Sequence, residues 1–151
     1  MPGNLRLASE QFNRGEFFEC HETLEAVWQL ERGPVRDLYK GLIQVAAAFV
    51  HMTRGNSRGA SRLLATALGY LEPYRADEAM GFDVDEFCRS AERLGGVLRN
   101  WAPAHDHDFD PALAPRLSWH EERVRAEAVR WRAWGFDPAG NALEEGITVV
   151  E

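Results

Sequence analysis

The segment YKGLIQVAAAFVHMTR, residues 39–54, constrains this chain more than any other, because apolar residues occupy nearly every direction around its middle turns. A helix that is apolar almost all round needs other elements on every side, so the segment predicts a central, most buried helix. Helical periodicity continues from the start of the chain to about residue 100, and no stretch there alternates with period two among β-branched residues. The expected class is all-α, a small bundle of about five to six helices.

Punctuation sets the boundaries. Pro2 suits a first helical turn, and Gly15 in FNRG supplies a C-terminal stop. A second helix is predicted from about Glu16 to Glu31, halted by Gly33 and Pro34. A third runs from about Val35 to Arg54 and ends at Gly55-Asn56, and a fourth runs from about Ser57 to Tyr74. Connections this short place sequence neighbours antiparallel. DVDEFCRSAERLGGVLRN, residues 83–100, predicts a fifth helix with an acidic first turn. Gly95 and Gly96 either weaken its interior or mark a close helix contact. Pro103, Pro111 and Pro115 make residues 101–118 a long surface connection, and a sixth helix is expected from about Trp119 to Trp134. Residues 1–100 thus read as the helical core, and residues 119–151 as a C-terminal helix and tail packed on it.

With 151 residues, 45% hydrophobic and 27% charged, the chain has the composition of one soluble domain able to bury a core. The net charge of −7 disfavours attraction to phosphate backbones. In WHEERVRAEAVRWRAW, Arg123, Arg125, Arg130 and Arg132 interleave with glutamates and tryptophans, which suits a salt-bridged face better than a nucleic-acid stripe. The tryptophans of this C-terminal helix would pack on the body, or dock on a protein partner or a second copy in a homo-oligomer. No basic leader and no run of about eighteen apolar residues occurs, so no membrane span is expected. Cys20 and Cys88 lack CxxC spacing and suit a reducing, cytoplasmic setting.

Candidate chemistry centres on ECHETLEAVW, residues 19–28, where His21, Glu25 and Trp28 fall at i, i+4 and i+7. At about 100° per residue, Phe17, Trp28 and Glu25 lie within about 40° of His21. His21 is therefore expected on the apolar face, with Glu25 inside or at its border, where polar groups need partners. On the third helix Lys40, Gln44 and His51 share one direction within about 40°. Small Ala47 and Ala48 between Gln44 and His51 would let the second helix approach. Facing stripes would then bring His21, Glu25, Gln44 and His51 together.

Such a cluster offers His21, Glu25 and His51 to a divalent metal, zinc or another first-row ion, with Gln44 or water in an open position. Glu22 is close enough in sequence to act as a base in a hydrolytic version of that site. HETLE is not HExxH, since Glu25 stands where the zincin pattern has its second histidine and Glu22 points about 100° from His21. No Glu-x-x-His pair of the di-iron kind occurs. The alternative is a buried hydrogen-bond network in which Glu25 accepts from His21, and Gln44, His51 or Tyr39 completes it. The chain would then be a non-enzymatic interaction or structural module. The sequence leaves open whether it is an enzyme.

FNRGEFFECHETLEAVW followed by YKGLIQVAAAFVHMTRGNSRGASRLL resembles the domain of unknown function 309 family of uncharacterised bacterial and archaeal helical proteins, over about residues 8–72. That family's His-x-x-x-Glu-x-x-Trp or Tyr pattern is matched by His21, Glu25 and Trp28. The flanks Phe12-Asn13, Gly15, Gly41-Leu42-Ile43-Gln44 and Gly55-Asn56 match as well. The resemblance implies an all-helical fold and a metal role for His21 and Glu25. It names no reaction.

Other stretches are weaker. AHDHDFD, with His105, Asp106, His107, Asp108 and Asp110, reads as a solvated acidic loop or a loose chelator. Arg54, Asn56 and Arg58 around Gly55 and Gly59 fit helix capping or an anion-binding turn. Cys20 reads as a small core residue, and no glycine-rich phosphate loop is present.

Overall fold

A computed structural model of the chain describes residues 2–76, 79–99, 109–124 and 126–127. The elements in order are α1 (Pro2–Asn13), α2 (Phe17–Leu30), α3 (Arg36–Thr53), α4 (Ser57–Leu71), a 3-10 turn (Glu72–Tyr74), α5 (Val84–Arg99) and a second 3-10 turn (Pro111–Leu113). Residues 121–124 and 126–127 are also helical. The fold is all-α. Two isolated bridges, Ala79 with Phe82 and Phe82 with Trp119, are the β-type pairings among the described residues. The predicted central helix is α3, which buries Leu38, Tyr39, Leu42, Val45, Ala46, Phe49 and Met52. It makes its broadest contact with α4 and the next broadest with α2.

The helix stops follow from local chemistry. Gly15 takes φ 80°, its N–H donates to Phe12 O at 3.0 Å, and Glu16 N–H donates to Gln11 O at 2.8 Å. That pair of bonds is a Schellman closure, which needs a left-handed residue and therefore favours glycine. Gly55 repeats it at the end of α3, with φ 78° and Asn56 N–H donating to His51 O at 2.8 Å. The Asn56 side chain then caps α4 by accepting from Gly59 N–H at 2.9 Å, so this stretch is a capping structure. Between α2 and α3 the Glu31 carboxylate, itself buried, accepts from Arg32 N–H at 3.1 Å and Gly33 N–H at 3.3 Å. A charged acceptor holds this turn.

Aromatic rings tie the helices together. Phe12 of α1 lies 5.2 Å from Phe17 of α2, 5.7 Å from Phe49 of α3 and 5.5 Å from Phe87 of α5, each edge to face. Phe17 in turn lies 5.2 Å from Phe49. At the far end of the same helix pair the Arg36 guanidinium sits 3.8 Å from the Trp28 ring centre, so α2 and α3 run antiparallel. α4 approaches α3 closely at Gly41, where an added Cβ would stand 2.7 Å from a Leu71 methyl and 3.2 Å from Tyr70 Cβ. Gly95 of α5 faces Leu64 of α4, where a Cβ would lie 3.7 Å away. Of the two roles that the glycine pair suggested, a helix contact is therefore realised at Gly95.

Residues 109–118 lie partly within the body. Phe109 stacks on Phe49 at 5.8 Å, and Pro115 and Leu117 are buried. Asn13 clamps this segment twice, donating to Leu117 O at 2.9 Å and accepting from Leu117 N–H at 2.8 Å. Trp119 does not begin a helix: it bridges to Phe82, and its indole N–H donates to Met80 O at 2.9 Å. His120 N–H donates to Gly81 O at 2.8 Å, and Asp83 N–H to Ser118 O at 3.2 Å. Met80 N–H donates to the Glu127 carboxylate. Gly81, at φ 86°, admits this crossing, since a Cβ there would stand 2.6 Å from His120 O. The predicted continuation of the sixth helix to Trp134, with Arg125, Arg130 and Arg132, lies outside the described residues. So do the tail beyond it and the ligand-rich stretch His105–Asp108.

Gly41→Ala is expected to lower stability by about 1–3 kcal/mol through overpacking against Leu71, read from the midpoint of urea unfolding. Asn13→Ala leaves the Leu117 amide and carbonyl without their partner. It is expected to cost a further about 1–3 kcal/mol and to quicken limited proteolysis after residue 108.

Candidate functional site

The buried residues of α2 are Phe17, Cys20, Leu24 and Val27. Their mean direction lies about 80° from His21 and about 120° from Glu25. The expectation that His21 sits on the buried face is therefore corrected: the apolar stripe is centred on Cys20 and Leu24, and His21 lies on its flank. Its side chain is 30% exposed and that of Glu25 is 44% exposed. His21 Nδ1 stands 3.6 Å from Glu25 Oε2, longer than a hydrogen bond. That nitrogen is nonetheless shielded from solvent and makes no hydrogen bond, as does Gln44 Oε1.

Register relates the two atoms. With Phe17 against Phe49 and Trp28 against Arg36, an antiparallel count sets His21 opposite Val45, one residue from Gln44. That count puts the backbone positions of His21 and Gln44 at the same level of the α2–α3 pair. His51 falls elsewhere. Its Nδ1 accepts from the Asn56 amide at 3.1 Å, which occupies it at the C-terminal end of α3. Among the described residues no group of three or more His, Cys, Asp and Glu side chains could hold a metal ion, so His21, Glu25 and His51 do not assemble as the expected three-ligand set. The reason is register: the count that sets His21 opposite Val45 sets His51 opposite Gly15, six residues before His21.

Trp28 carries two cations, the Arg36 guanidinium at 3.8 Å and Lys40 Nζ at 5.0 Å from the ring centre. This stack fixes the C-terminal half of α2 on α3. Glu22 is exposed and lines an open depression with Phe18, His21, Glu25, Ala26 and Gln29. Tyr39 belongs to a different neighbourhood. It is fully buried, and burial, reinforced by the carboxylates of Glu31 and Glu127, pushes its phenol well above the ordinary value. By the same antiparallel count it stands opposite Val27, six residues along α2 from His21.

Two features were missed in the sequence. Phe18 is 50% exposed beside His21, and the doublet Phe17-Phe18 was its signal, since adjacent helical residues cannot share one face. The second is Asp83, whose carboxylate accepts from Arg123 at 2.6 Å and pairs with His120 Nε2 at 3.2 Å. No local spacing pointed to it, because its partners lie 37 and 40 residues away.

Residues 5–63 match the family model described as a domain of unknown function, DUF309. Over 70 residues the chain is 41% identical to the uncharacterized protein YpuF of Bacillus subtilis strain 168, covering 45% of this chain and 40% of that relative. Over 65 residues it is 34% identical to an uncharacterized protein of Aquifex aeolicus strain VF5, covering 42% of this chain and 20% of that relative. The chain thus spans less than half the length of these curated relatives. No solved structure matches it. The family resemblance read from the second and third helices is borne out over the matched residues, and both relatives are bacterial. Among the described residues no helix is long and apolar enough to cross a membrane.

Burial pushes the Cys20 thiol up to about 12 and that of Cys88 up to about 11, the latter against the pull of Arg75. Thiolate is the reactive form, so both cysteines are expected to resist iodoacetamide at pH 8 in the folded chain and to react fully in denaturant, as counted by intact mass.

Proposed function

We propose that this chain is a small helical metal-binding protein whose divalent ion is held by His21 and Glu25 on α2. The observation that carries the reading is the gap between them. A direct N–H···O bond would bring the two atoms to about 2.9 Å. Two atoms bound at about 2.1 Å to one tetrahedral ion stand about 3.4 Å apart, close to the 3.6 Å between Nδ1 and Oε2. An imidazole nitrogen and a carboxylate oxygen are a donor set suited to zinc and other first-row ions.

The residues present fit such an ion as two ligands and leave the remaining positions to groups from outside this pair. When bound, the ion supplies a Lewis acid. Glu22 is the other carboxylate of the same depression, so a hydrolytic use of the site would draw its base from Glu22. The network alternative expects satisfied polar atoms, and the orphaned His21 Nδ1 and Gln44 Oε1 support the metal reading over it.

The test is metal retention by the full chain after chelation and reloading with zinc, manganese or nickel, read by elemental analysis. Retention is expected for the unaltered chain and for His51→Ala, and is expected to be lost in His21→Ala and Glu25→Gln. Zinc should raise the melting temperature only where it is retained. An unaltered chain that retains none of the three metals, or a His21→Ala chain that retains them equally, would overturn the reading.

A further inference from the structure

Charge is segregated along this chain. Between residues 38 and 71 the charged side chains are Lys40, Arg54, Arg58 and Arg62, with no Asp or Glu, so the α3–α4 hairpin carries +4. The whole chain carries −7, which leaves −11 on the rest. Lys40 is taken up by the Trp28 stack. Arg54, Arg58 and Arg62 are exposed, and no carboxylate among the described residues pairs with them. Other arginines do find partners: Arg75 alone meets Glu72, Asp85 and Glu92. Helix stability does not explain the placement, since the first turn of α4 has no acidic residue and Arg58 sits in it, where the helix dipole disfavours a cation.

The arginines border an apolar groove. It lies between α4 and α5, has a volume of about 400 Å³, and is walled by Arg62, Leu64, Ala65 and Leu68 of α4 and by Gly95 of α5. Glu92 also lines it, but its carboxylate is held by Arg75 at 2.8 Å. On α4 Arg58, Arg62, Ala65 and Gly69 lie within about 60° of one direction. Ala65 is exposed, and an added Cβ at Gly69 would meet nothing within 4 Å. One face of α4 is thus basic over its first two turns and small and open over the next two.

We propose that this groove receives an acidic amphipathic helix of a protein partner. Apolar side chains of that helix enter beside Leu64, Leu68 and Gly95, its backbone approaches over Ala65 and Gly69, and its carboxylates meet Arg58 and Arg62. Charge selects this occupant over a nucleic acid. Unpaired guanidiniums attract a short acidic segment at close range, whereas a duplex reaching past the hairpin meets a body that carries −11. The apolar wall also has no use for phosphates. The groove shares no residue with the metal site, so the inference stands or falls without that reading.

The probe is an end-labelled synthetic peptide with leucines at i, i+3, i+4 and i+7 repeats and glutamates and alanines elsewhere, titrated with the full chain and read by fluorescence anisotropy. Saturable binding that weakens as salt rises is expected. Arg58→Glu combined with Arg62→Glu is expected to lower affinity at least about tenfold. Circular dichroism and melting temperature should hold in that variant, because a carboxylate in the first turn of α4 suits the dipole. A scrambled peptide of the same composition, whose leucines share no face, is expected to bind at least about tenfold more weakly. Failure of the amphipathic peptide to bind, equal binding of the scrambled one, or an affinity unmoved by the double reversal overturns the proposal. A DNA duplex that binds more tightly than the peptide and is lost in the double reversal also overturns it, in favour of a nucleic-acid surface. So does a chain that light scattering shows as a dimer until Arg58 and Arg62 are reversed, since a second copy is then the occupant.

Discussion

The contact on which the rest of this structure depends is the one made by the Phe49 ring. It meets Phe12 of α1, Phe17 of α2 and Phe109 of the segment after α5, and Phe12 carries the contact onward to Phe87 of α5. Packed aromatic rings bury large apolar areas and also prefer particular mutual orientations, here edge-to-face on Phe12, tilted on Phe17 and stacked on Phe109, so they set angles as well as distances. The rotation of α2 is a consequence. Phe17 against Phe49 fixes one end, and Trp28 under Arg36 and Lys40 fixes the other. With both ends held, His21 and Glu25 have no choice but the flank of the helix.

That flank position explains what is unusual about the pair. A histidine at the centre of the apolar stripe would need a protein partner within the core, and one on the outer face would be satisfied by water. His21 stands between: Nδ1 is shut off from solvent while the side chain is still 30% exposed. A carboxylate one turn on, at 3.6 Å, lies close enough to share an ion and too far for a good hydrogen bond.

Much of the architecture was legible in the chain. Gly15 and Gly55 announced two helix stops, and both adopt the left-handed conformation that only glycine takes readily. The almost wholly apolar middle of residues 39–54 announced the central helix. What could not be read was rotation and long-range pairing. Phe17 and Trp28 lie on the edge of the apolar stripe nearest His21, whereas Cys20 and Leu24 carry its centre. His51 shares a helix face with Gln44 but stands two turns farther along α3, beside Asn56 and away from the level of His21. The bonds from Asn13 to Leu117 and from Asp83 to His120 and Arg123 span between 37 and 104 residues, and no periodicity encodes such pairs.

The seam between the early helices and residues 115–127 is written largely in main-chain atoms. Asn13 holds the amide and carbonyl of Leu117, Trp119 donates to the carbonyl of Met80, His120 and Asp83 trade backbone bonds with Gly81 and Ser118, and Glu127 accepts from the amide of Met80. Main-chain groups are the same for every residue type except proline. Side chains add to this joint: Leu117 and Val124 are buried, the Trp119 indole and the Glu127 carboxylate each bond a main-chain group of Met80, and Asp83 holds His120 and Arg123, so residue type as well as backbone path ties this stretch to the body.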